Sequence, residues 1–557
     1  MKKRLLLLWL ACSCFTLTGW SQTTNISGQI NDYAIVTQAN MVANEFTLGV
    51  GSPAFALDDL VLIIQMQGAT VSTSNNSTFG SITDLGTTGN MEIATVCDFT
   101  ANVLSFQEQL VNTYDDPSTT DAVIQIVRVP QYVDANVNGT LSGQAWDGAT
   151  GGILAFSASG TVTLNANLDM DGLGFRGPAH EESMFACVPS LNGTSAASNS
   201  VAFFYDQASG RAGKKGEGIA PYPTNQDYGQ GALANGGGGG NEHQAGGGGG
   251  GHYLAGGNGG QKVNGIFNCF GLFEGIGGYA LQTPVNNGKV FMGGGGGAGH
   301  DDDDDGADAG NGGGIILIIA DQIDGNGFGI SARGTDSEDA LGDAASGGGA
   351  GGTVLLSVNG FSANPLTISV DGGDGGQAGV GSNCLGPGGG GAGGVIRTTT
   401  VFPANVTSSV AGGAAGVVNP AVAGCGGNTQ GAAVGGNGIV LNTFSLAAGT
   451  TTLPCVLGWE ENPWQEENED LDPSFKAYPN PVVSGERVHI EWDQPEAGRV
   501  KLAFYNAVGQ EVWANEGLLD AGPQQVSVDL SHLPSGLYLL RKSFRGQYHP
   551  LTIQLGN

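Results

Sequence analysis

The stretch GGGIILIIADQIDGNGFGISARG (Gly312–Gly334) decides the fold. It begins with glycines, continues with a short run of apolar residues, turns at DGNG and ends with a second short apolar run. Runs of about five or six residues that are rich in β-branched side chains and bounded by glycine are typical of β-strands, whereas a helix needs a 3.6-residue periodicity. The stretch therefore predicts two strands joined by a short turn.

The same layout recurs along the chain. The other units are GGILAFSASGTVTLNANLDMDGLGFRG from Gly151, GGTVLLSVNGFSANPLTISVDGGDGG from Gly351, GGVIRTTTVFPANVTSSVAGG from Gly393 and GGNGIVLNTFSLAAGTT from Gly435. From Gly312 onward the units start 39, 42 and 42 residues apart. A repeat of this length predicts stacked units that share one apolar core. We expect a parallel β-solenoid. A β-propeller has a similar period, but each blade needs four strands and these units offer two.

The chain contains 100 glycines, and they need an explanation of their own. Each glycine in ordered structure costs roughly 0.5–1 kcal/mol relative to alanine, because more backbone freedom is lost. Two long glycine-rich segments, Asn235–Gly260 and Gly293–Gly314, allow two interpretations. They are either flexible loops or extended strands of polyproline-II type, which glycine allows to pack very closely. The every-third-residue glycine pattern of collagen is absent, which excludes a triple helix.

The N-terminus has the layout of a secretory signal peptide. Positive charges at Lys2–Arg4 precede an apolar run from Leu5, and small residues follow at Gly19 and Ser21. This order predicts cleavage after Ser21. Lipid attachment at Cys12 is a rival prediction. The apolar run is too short to span a bilayer, and no later segment has about 18 consecutive apolar residues, so we expect no transmembrane span.

Charge and cysteine content exclude several classes of function. The formal charge is −32, and it becomes −35 once the three signal-peptide cations are removed. Nucleic acids and anionic membrane surfaces would be repelled. The remaining cysteines are Cys97, Cys187, Cys269, Cys384, Cys425 and Cys455, and none of them forms a CxxC pair. This spacing argues against zinc, and the even number in an exported chain predicts disulfides, for which fifteen pairings are open.

The composition divides the chain into five parts. We predict a signal peptide at 1–21, a β-rich domain at 22–132, the glycine-rich repeat solenoid at 133–456, an acidic linker at 457–474 and a small β-domain at 475–557. The β-rich domain contains dense Val and Ile runs at Asp58–Met66 and Asp121–Tyr132. The linker GWEENPWQEENEDLDPS carries seven acids and no base, which is typical of an extended, disordered segment.

The last part alternates apolar and polar residues cleanly, as in RVHIEWD (Arg487–Asp493), and polar turns separate the runs. Strands at intervals of about 8–12 residues predict a small β-sandwich. Three blocks occur in order: YPNPV (Tyr478–Val482), FYNAVGQEV (Phe504–Val512) and VDLSHLPSGLYLLR (Val528–Arg541). Over about 80 of 557 residues this part closely resembles the type IX secretion C-terminal sorting domain.

The resemblance implies an Ig-like sandwich that directs the protein from the periplasm across the outer membrane by the type IX machinery. Removal of the domain, often with attachment of the cargo to surface lipopolysaccharide, is implied as well. The strand that ends in YHPLTIQL should be the part that the machinery reads, although Leu555–Asn557 lacks the basic residue that is frequent there in the family. The residues that carry the sorting motif are Tyr478, Pro479, Asn480, Pro481, Gly509, Gly536 and Tyr538.

The sequence contains few patterns that indicate chemistry. The HExxH, GxSxG and phosphate-binding GxxxxGK(S/T) motifs are absent. GxG patterns occur only within the glycine repeats, where no strand–helix unit surrounds them as a dinucleotide-binding fingerprint requires. The segment HDDDDDGAD (His300–Asp308) offers carboxylates that could hold calcium, with Asp301, Asp303, Asp305 and Asp308 as candidate ligands. The alternative is a solvated acidic loop. For the histidines of the glycine-rich segments, His243, His252 and His300, we expect solvent exposure.

We therefore expect a secreted or cell-surface protein without catalytic activity and without a cofactor, acting as an adhesin or structural component toward glycans or other cells. Two alternatives remain. A carbohydrate-active enzyme, a lyase or a glycoside hydrolase, would need paired carboxylates in a groove of the solenoid. Acids are plentiful between Gln22 and Val456, whereas cations are few. The other alternative is a calcium-binding surface module.

Overall fold

The computed structural model describes residues 23–182, 202–206, 212–241, 243–262, 272–302, 305–340, 342–379, 383–451, 474–483, 487–495, 497–506, 511–544 and 547–556. The chain divides into two compact units, Met1–Thr452 and Leu453–Asn557. Both are built from β-strands, and the one helix among the described residues is α1 (Gln282–Asn286). In the described part of the chain, no helix has the length and apolar content that a membrane crossing requires.

The strands of the described residues fall into three groups in chain order. The first part contains β1 (Thr23–Gln29), β2 (Tyr33–Asn40), β3 (Glu45–Leu48), β4 (Leu60–Gln67), β5 (Thr70–Val71), β6 (Ile82–Asp84), β7 (Met91–Thr100), β8 (Val103–Phe106), β9 (Val123–Arg128) and β10 (Gln131–Tyr132). The repeats contain β11 (Asp134–Ser142), β12 (Ile153–Leu164), β13 (Leu168–Asp169), β14 (Ile315–Asp324), β15 (Gly329–Ser331), β16 (Thr353–Phe361), β17 (Leu366–Ser369), β18 (Val395–Thr398), β19 (Val406–Ser409) and β20 (Ile439–Leu441). The second unit contains β21 (Lys476–Tyr478), β22 (Arg487–Gln494), β23 (Gly498–Tyr505), β24 (Glu511–Leu519), β25 (Gly522–Asp529), β26 (Gly536–Phe544) and β27 (Gln547–Leu555).

The repeats form one large parallel sheet. Its order is β19-β17-β15-β13-β11-β12-β14-β16-β18-β20, so the first strands of successive repeats lie side by side in one wing and the second strands in the other. Ile315 pairs with Thr353, Thr353 with Val395, and Val395 with Ile439. The predicted parallel stacking of the repeats is confirmed. We call one repeat, with its two strands and the glycine segments that follow them, a coil.

Side chains on the two faces of the first wing enter different cores. Ile316, Ile318 and Leu356 lie between the two wings, whereas Leu317 and Leu355 face a second core on the opposite side. A parallel strand buried on both faces needs apolar residues at consecutive positions. This is why the run IILII has no polar alternation.

The segment before the repeats forms a separate antiparallel sheet that closes on itself in the order β2-β3-β8-β7-β4-β9. Phe46, Val61, Ile63 and Ile126 fill its interior and are inaccessible to solvent. Strand β1 does not belong to this closed sheet. It pairs in parallel with β11 and extends the large sheet of the repeats.

The described residues of the glycine segments hydrogen-bond to one another through their backbones. Gly389, Gly390 and Gly391 donate to three different segments, at the carbonyls of Gly247, Ala433 and Gly373. Three residues later the same three segments serve again as acceptors: Ala392 donates to Gly250, Gly393 to Gly436 and Gly394 to Val370. A period of three residues with partners on three sides indicates extended, threefold strands of polyproline-II type. Of the two interpretations of the glycines, the described residues show the packed one.

Close packing explains why these positions are glycine. A Cβ atom added at Gly391 would lie 2.0 Å from the carbonyl oxygen of Gly349, and one at Gly247 would lie 2.0 Å from that of Gly297. Real Cβ contacts this short do not occur, and the colliding atoms belong to the backbone, which cannot rotate away. The missing side chain is what allows the segments to approach each other.

A disulfide joins Cys384 to Cys425, with an S–S distance of 1.95 Å. Cys97 is also disulfide-bonded. The expectation of disulfides is thus confirmed for these residues, whereas Cys187, Cys269 and Cys455 lie outside the described residues.

The second unit contains two antiparallel sheets. One has the order β21-β22-β25 and the other β24-β23-β26-β27. Both sheets contribute to one apolar core, which includes Trp492, Phe504, Leu540 and Ile553. The alternation of apolar and polar residues in these strands therefore reflects one buried and one exposed face.

Replacing a packed glycine should destabilise the first unit strongly. We expect Gly391→Ala to lower the free energy of unfolding by about 3 kcal/mol, because the new methyl group collides with a fixed carbonyl. The matched control is Gly360→Ala in β16, where no atom lies within 4 Å of the added Cβ. Urea unfolding followed by circular dichroism measures both. Equal stability of the two variants would contradict the packed arrangement.

Candidate functional site

The first motif block lies along the outer edge of the last strand, β27. Asn480 donates a hydrogen bond from Nδ2 to the carbonyl of Thr552 (2.8 Å), and its Oδ1 accepts one from the N–H of Gln554 (2.9 Å). Val482 continues the contact, since its N–H donates to the carbonyl of Gln554 (2.8 Å) and its carbonyl accepts from Gly556 (2.7 Å). The structure therefore brings the YPNPV block and the YHPLTIQL strand together, although 72 residues separate Asn480 from Thr552.

The other residues of this block position the segment. Tyr478 is the last residue of β21, the centre of its ring lies 5.6 Å from that of the His489 ring, and its hydroxyl donates a hydrogen bond to Glu491. Pro479 and Pro481 flank Asn480. Both prolines lack an N–H, and the backbone N–H that donates from this segment to β27 is that of Val482.

The third motif block pairs with β27 on the strand's other side. Gly536 is the register partner of Leu555, and Tyr538 that of Ile553. Tyr538 is buried, and its hydroxyl donates a hydrogen bond to the carbonyl of Pro534 (2.8 Å). The motif residue Gly509 lies outside the described residues. Among the described motif residues, Asn480 and Gly536 thus contact the two opposite edges of the same strand.

A cleft of about 310 Å³ opens beside the third block. It is lined by Asn506, Val512 and the run Leu533–Tyr538. The second and third motif blocks therefore meet at one place on the surface, and Leu537 is about half exposed there.

The predicted calcium ligands lie in different surroundings. Asp301 is buried, Asp305 is exposed, and Asp308 accepts hydrogen bonds from the N–H (2.9 Å) and Nδ1 (2.8 Å) of His180. Asp303 lies outside the described residues. Among the residues that are described, no three His, Cys, Asp or Glu side chains are arranged to hold a metal ion. Calcium binding stays a prediction that concerns the whole HDDDDDGAD segment.

A buried polar cluster adjoins this segment, and the sequence did not predict it. His300 is inaccessible to solvent, and its Nδ1 accepts a hydrogen bond from the N–H of Gln244 (3.3 Å). The side-chain amide of Gln244 donates to Asp302 (2.9 Å) and Asp343 (2.6 Å), and its oxygen accepts from Lys262 (2.5 Å). Each charged group here has an opposite charge or an amide beside it, so the cluster is suited to hold glycine segments together.

The expectation that the histidines are exposed was wrong for His252 and His300, which are fully buried. Burial is the main reason why the pKa of each is lowered from 6.5 to about 4. The neighbouring charge of Arg397 lowers the pKa of His252 further, and that of His243 lowers the pKa of His300 further. Both imidazoles are therefore neutral at pH 7, and local composition gave no signal of this, because the burial comes from segments distant in sequence.

Many carboxylates of the first unit, which we also call the body, accept hydrogen bonds from the next coil. Oδ1 of Asp336 accepts from the N–H of Asp374 (2.8 Å), and Oδ1 of Asp374 accepts from that of Ala414 (2.6 Å). Asp324 accepts from the side chains of Ser362 (2.7 Å) and Asn364 (2.8 Å). Burial by itself would raise the pKa of Asp324, but these hydrogen bonds outweigh it and lower the pKa. These acids connect coils.

The buried histidines should make the first unit sensitive to mild acid. Below pH 6.5 the unfolded chain binds a proton at each histidine, whereas the folded chain does not until about pH 4. Stability is therefore complete above pH 6.5 and falls as the pH decreases toward 4, by about 2 kcal/mol per histidine at pH 5.

We expect the melting temperature of wild type to fall between pH 7 and pH 5, and His252→Gln or His300→Gln to reduce that fall. The exposed His532 of the second unit is the control, and His532→Gln should leave the fall unchanged. Differential scanning calorimetry at the two pH values separates these results. An identical pH dependence in all four proteins would contradict neutral burial.

Comparison with known proteins agrees with the geometry of the second unit. A search of curated proteins found no match to the chain. Residues 476–548 match the family model described as a secretion system C-terminal sorting domain. This segment contains the first motif block, which holds β27, and the third, which pairs with it. The chain thus carries a type IX C-terminal sorting domain, which indicates export to the cell surface or secretion.

Proposed function

We propose that this protein is a non-catalytic adhesin or structural component of the cell surface, delivered by the type IX machinery. The observation that carries the proposal is a sorting domain joined to a repeat body whose carboxylates bond from coil to coil. Carboxylates that accept hydrogen bonds from the next coil hold the coils together, which supports a structural role. A rigid body with many repeated surfaces is suited to contact.

In this proposal the body is a glycine-rich β-solenoid and the second unit is an Ig-like sandwich. The first 21 residues act as the signal peptide that brings the chain to the periplasm. Two sheets around one core and a tyrosine hydroxyl bonded to a backbone carbonyl four residues upstream support the Ig-like assignment. The ligands of the exported body are surface lipopolysaccharide, glycans or other cells.

Packing in the body supports a mechanical rather than a catalytic role. Lys215 is completely buried, and its Nζ donates to the carbonyls of Phe203 (2.8 Å), Gly229 (2.6 Å) and Gly231 (2.7 Å). Burial lowers its pKa well below the ordinary value. A lysine that donates to three carbonyls in the interior connects segments, and a polysaccharide chain cannot reach it there.

Export should depend on the second unit. We expect the full chain, expressed in a host with the type IX machinery, to reach the surface and to lose about 80 residues. A variant that ends at Ser474 should stay in the periplasm, because the residues that match the sorting family are gone. Fractionation and intact mass measure both. If the two proteins travel alike, the second unit is not the export signal.

The exported body should bind without turnover. We expect the purified surface form to be retained on whole cells or immobilised glycans, and to release no reducing or unsaturated sugar ends from soluble polysaccharides. Bovine serum albumin is the control for non-specific retention. Release of such ends would instead favour the carbohydrate-active enzyme. A melting temperature that falls after chelator treatment would favour the calcium-binding module.

A further inference from the structure

The outer edge of β27 is already covered by a segment of the same unit. Opposite edges of a strand are served by alternate residues, and the groups that point away from β26 belong to Thr552, Gln554 and Gly556. All of their described bonds on this side go to Asn480 and Val482. We call Asn480–Val482 the strap.

The strap imitates a neighbouring strand. The side-chain amide of Asn480 presents one donor and one acceptor, as a peptide group does, and Val482 adds a backbone N–H and carbonyl. Pro550 shares the outer edge of β27 with Thr552 and offers no N–H there. An incoming strand therefore finds its usable partners at Thr552–Gly556, under the strap.

Contact between the strap and β27 is small compared with the contact on the other edge. On that edge, β26 pairs with β27 over nine register positions, from Gly536–Leu555 to Phe544–Gln547. The strap makes four hydrogen bonds and buries the Val482 side chain, while Asn480 itself is exposed to water. A contact with few buried apolar groups and solvated hydrogen bonds opens at low free-energy cost.

We propose that the strap is a removable cover, and that an extended, uncharged segment of the export machinery replaces it on Thr552–Gly556 by strand addition. The covered edge has no charged side chain, so its affinity for a partner comes from backbone hydrogen bonds. Asn480 is a positioning residue that keeps the edge closed until that partner arrives. This inference rests on the proposed export function and names the partner surface of the sorting domain.

Locking the strap tests the proposal in the full chain. Val482 and Leu555 are neighbours in a parallel bridge, so the double variant Val482→Cys, Leu555→Cys should form a disulfide. Peptide mass mapping verifies the bond, and the two single variants are the controls. We expect the locked protein to reach the cell surface at less than a tenth of the level of either control.

Equal export of the locked and control proteins overturns the strap as a removable cover. It leaves the export function itself intact, because that function fails only if the chain that ends at Ser474 also reaches the surface. The two failures are therefore distinguishable.

Hydrogen exchange on the full chain tests the role of Asn480 independently of export. We expect Asn480→Ala to accelerate exchange of the Gln554 and Gly556 amides on the order of tenfold, because two hydrogen bonds of the strap are lost. The matched control is Asn515→Ala, which removes an exposed asparagine of β24. Unchanged exchange in Asn480→Ala would show that Asn480 does not hold the edge closed.

Discussion

Backbone-to-backbone hydrogen bonds between glycine segments are the interaction on which the first unit depends. They require the segments to approach so closely that a Cβ atom would lie about 2 Å from a carbonyl oxygen, as at Gly247 and Gly391. Each glycine sacrifices conformational freedom on folding. In exchange, the segments form a lattice in which consecutive N–H groups donate on three sides. Buried peptide groups therefore have hydrogen-bond partners although they belong to no sheet.

The parallel sheet and the lattice support each other because the same coils build both. A coil leaves β16 and β17, passes through the glycine segments and enters β18, so the register of the sheet sets the register of the lattice. Carboxylates such as Asp336 and Asp374 add bonds between successive coils at the surface. The negatively charged side chains are consequently part of the architecture of the first unit.

In the second unit, strand β27 must stay accessible to a partner and yet be protected from uncontrolled pairing. An open strand edge invites uncontrolled pairing, and proteins usually cover or interrupt such edges. Here Pro550 interrupts the edge of β27, and Asn480 and Val482 cover the rest, with the side-chain amide of Asn480 in the place of a peptide group. A side chain that fills this role can be released without unfolding a sheet.

The sequence by itself determined the elements with local signatures. Apolar runs bounded by glycine predicted the strands of the repeats, and three motif blocks predicted the sorting domain, because periodicity and short motifs are properties of neighbouring residues. Only the tertiary structure decided what depends on contacts between distant residues. In the tertiary structure the glycine segments are packed, and β1 belongs to the large sheet. His252 and His300 are buried, and Asn480 contacts Thr552. A run of glycines has the same local sequence whether it forms a flexible loop or a packed strand. The packed form depends on which other segments surround the run, and the local sequence does not encode those contacts.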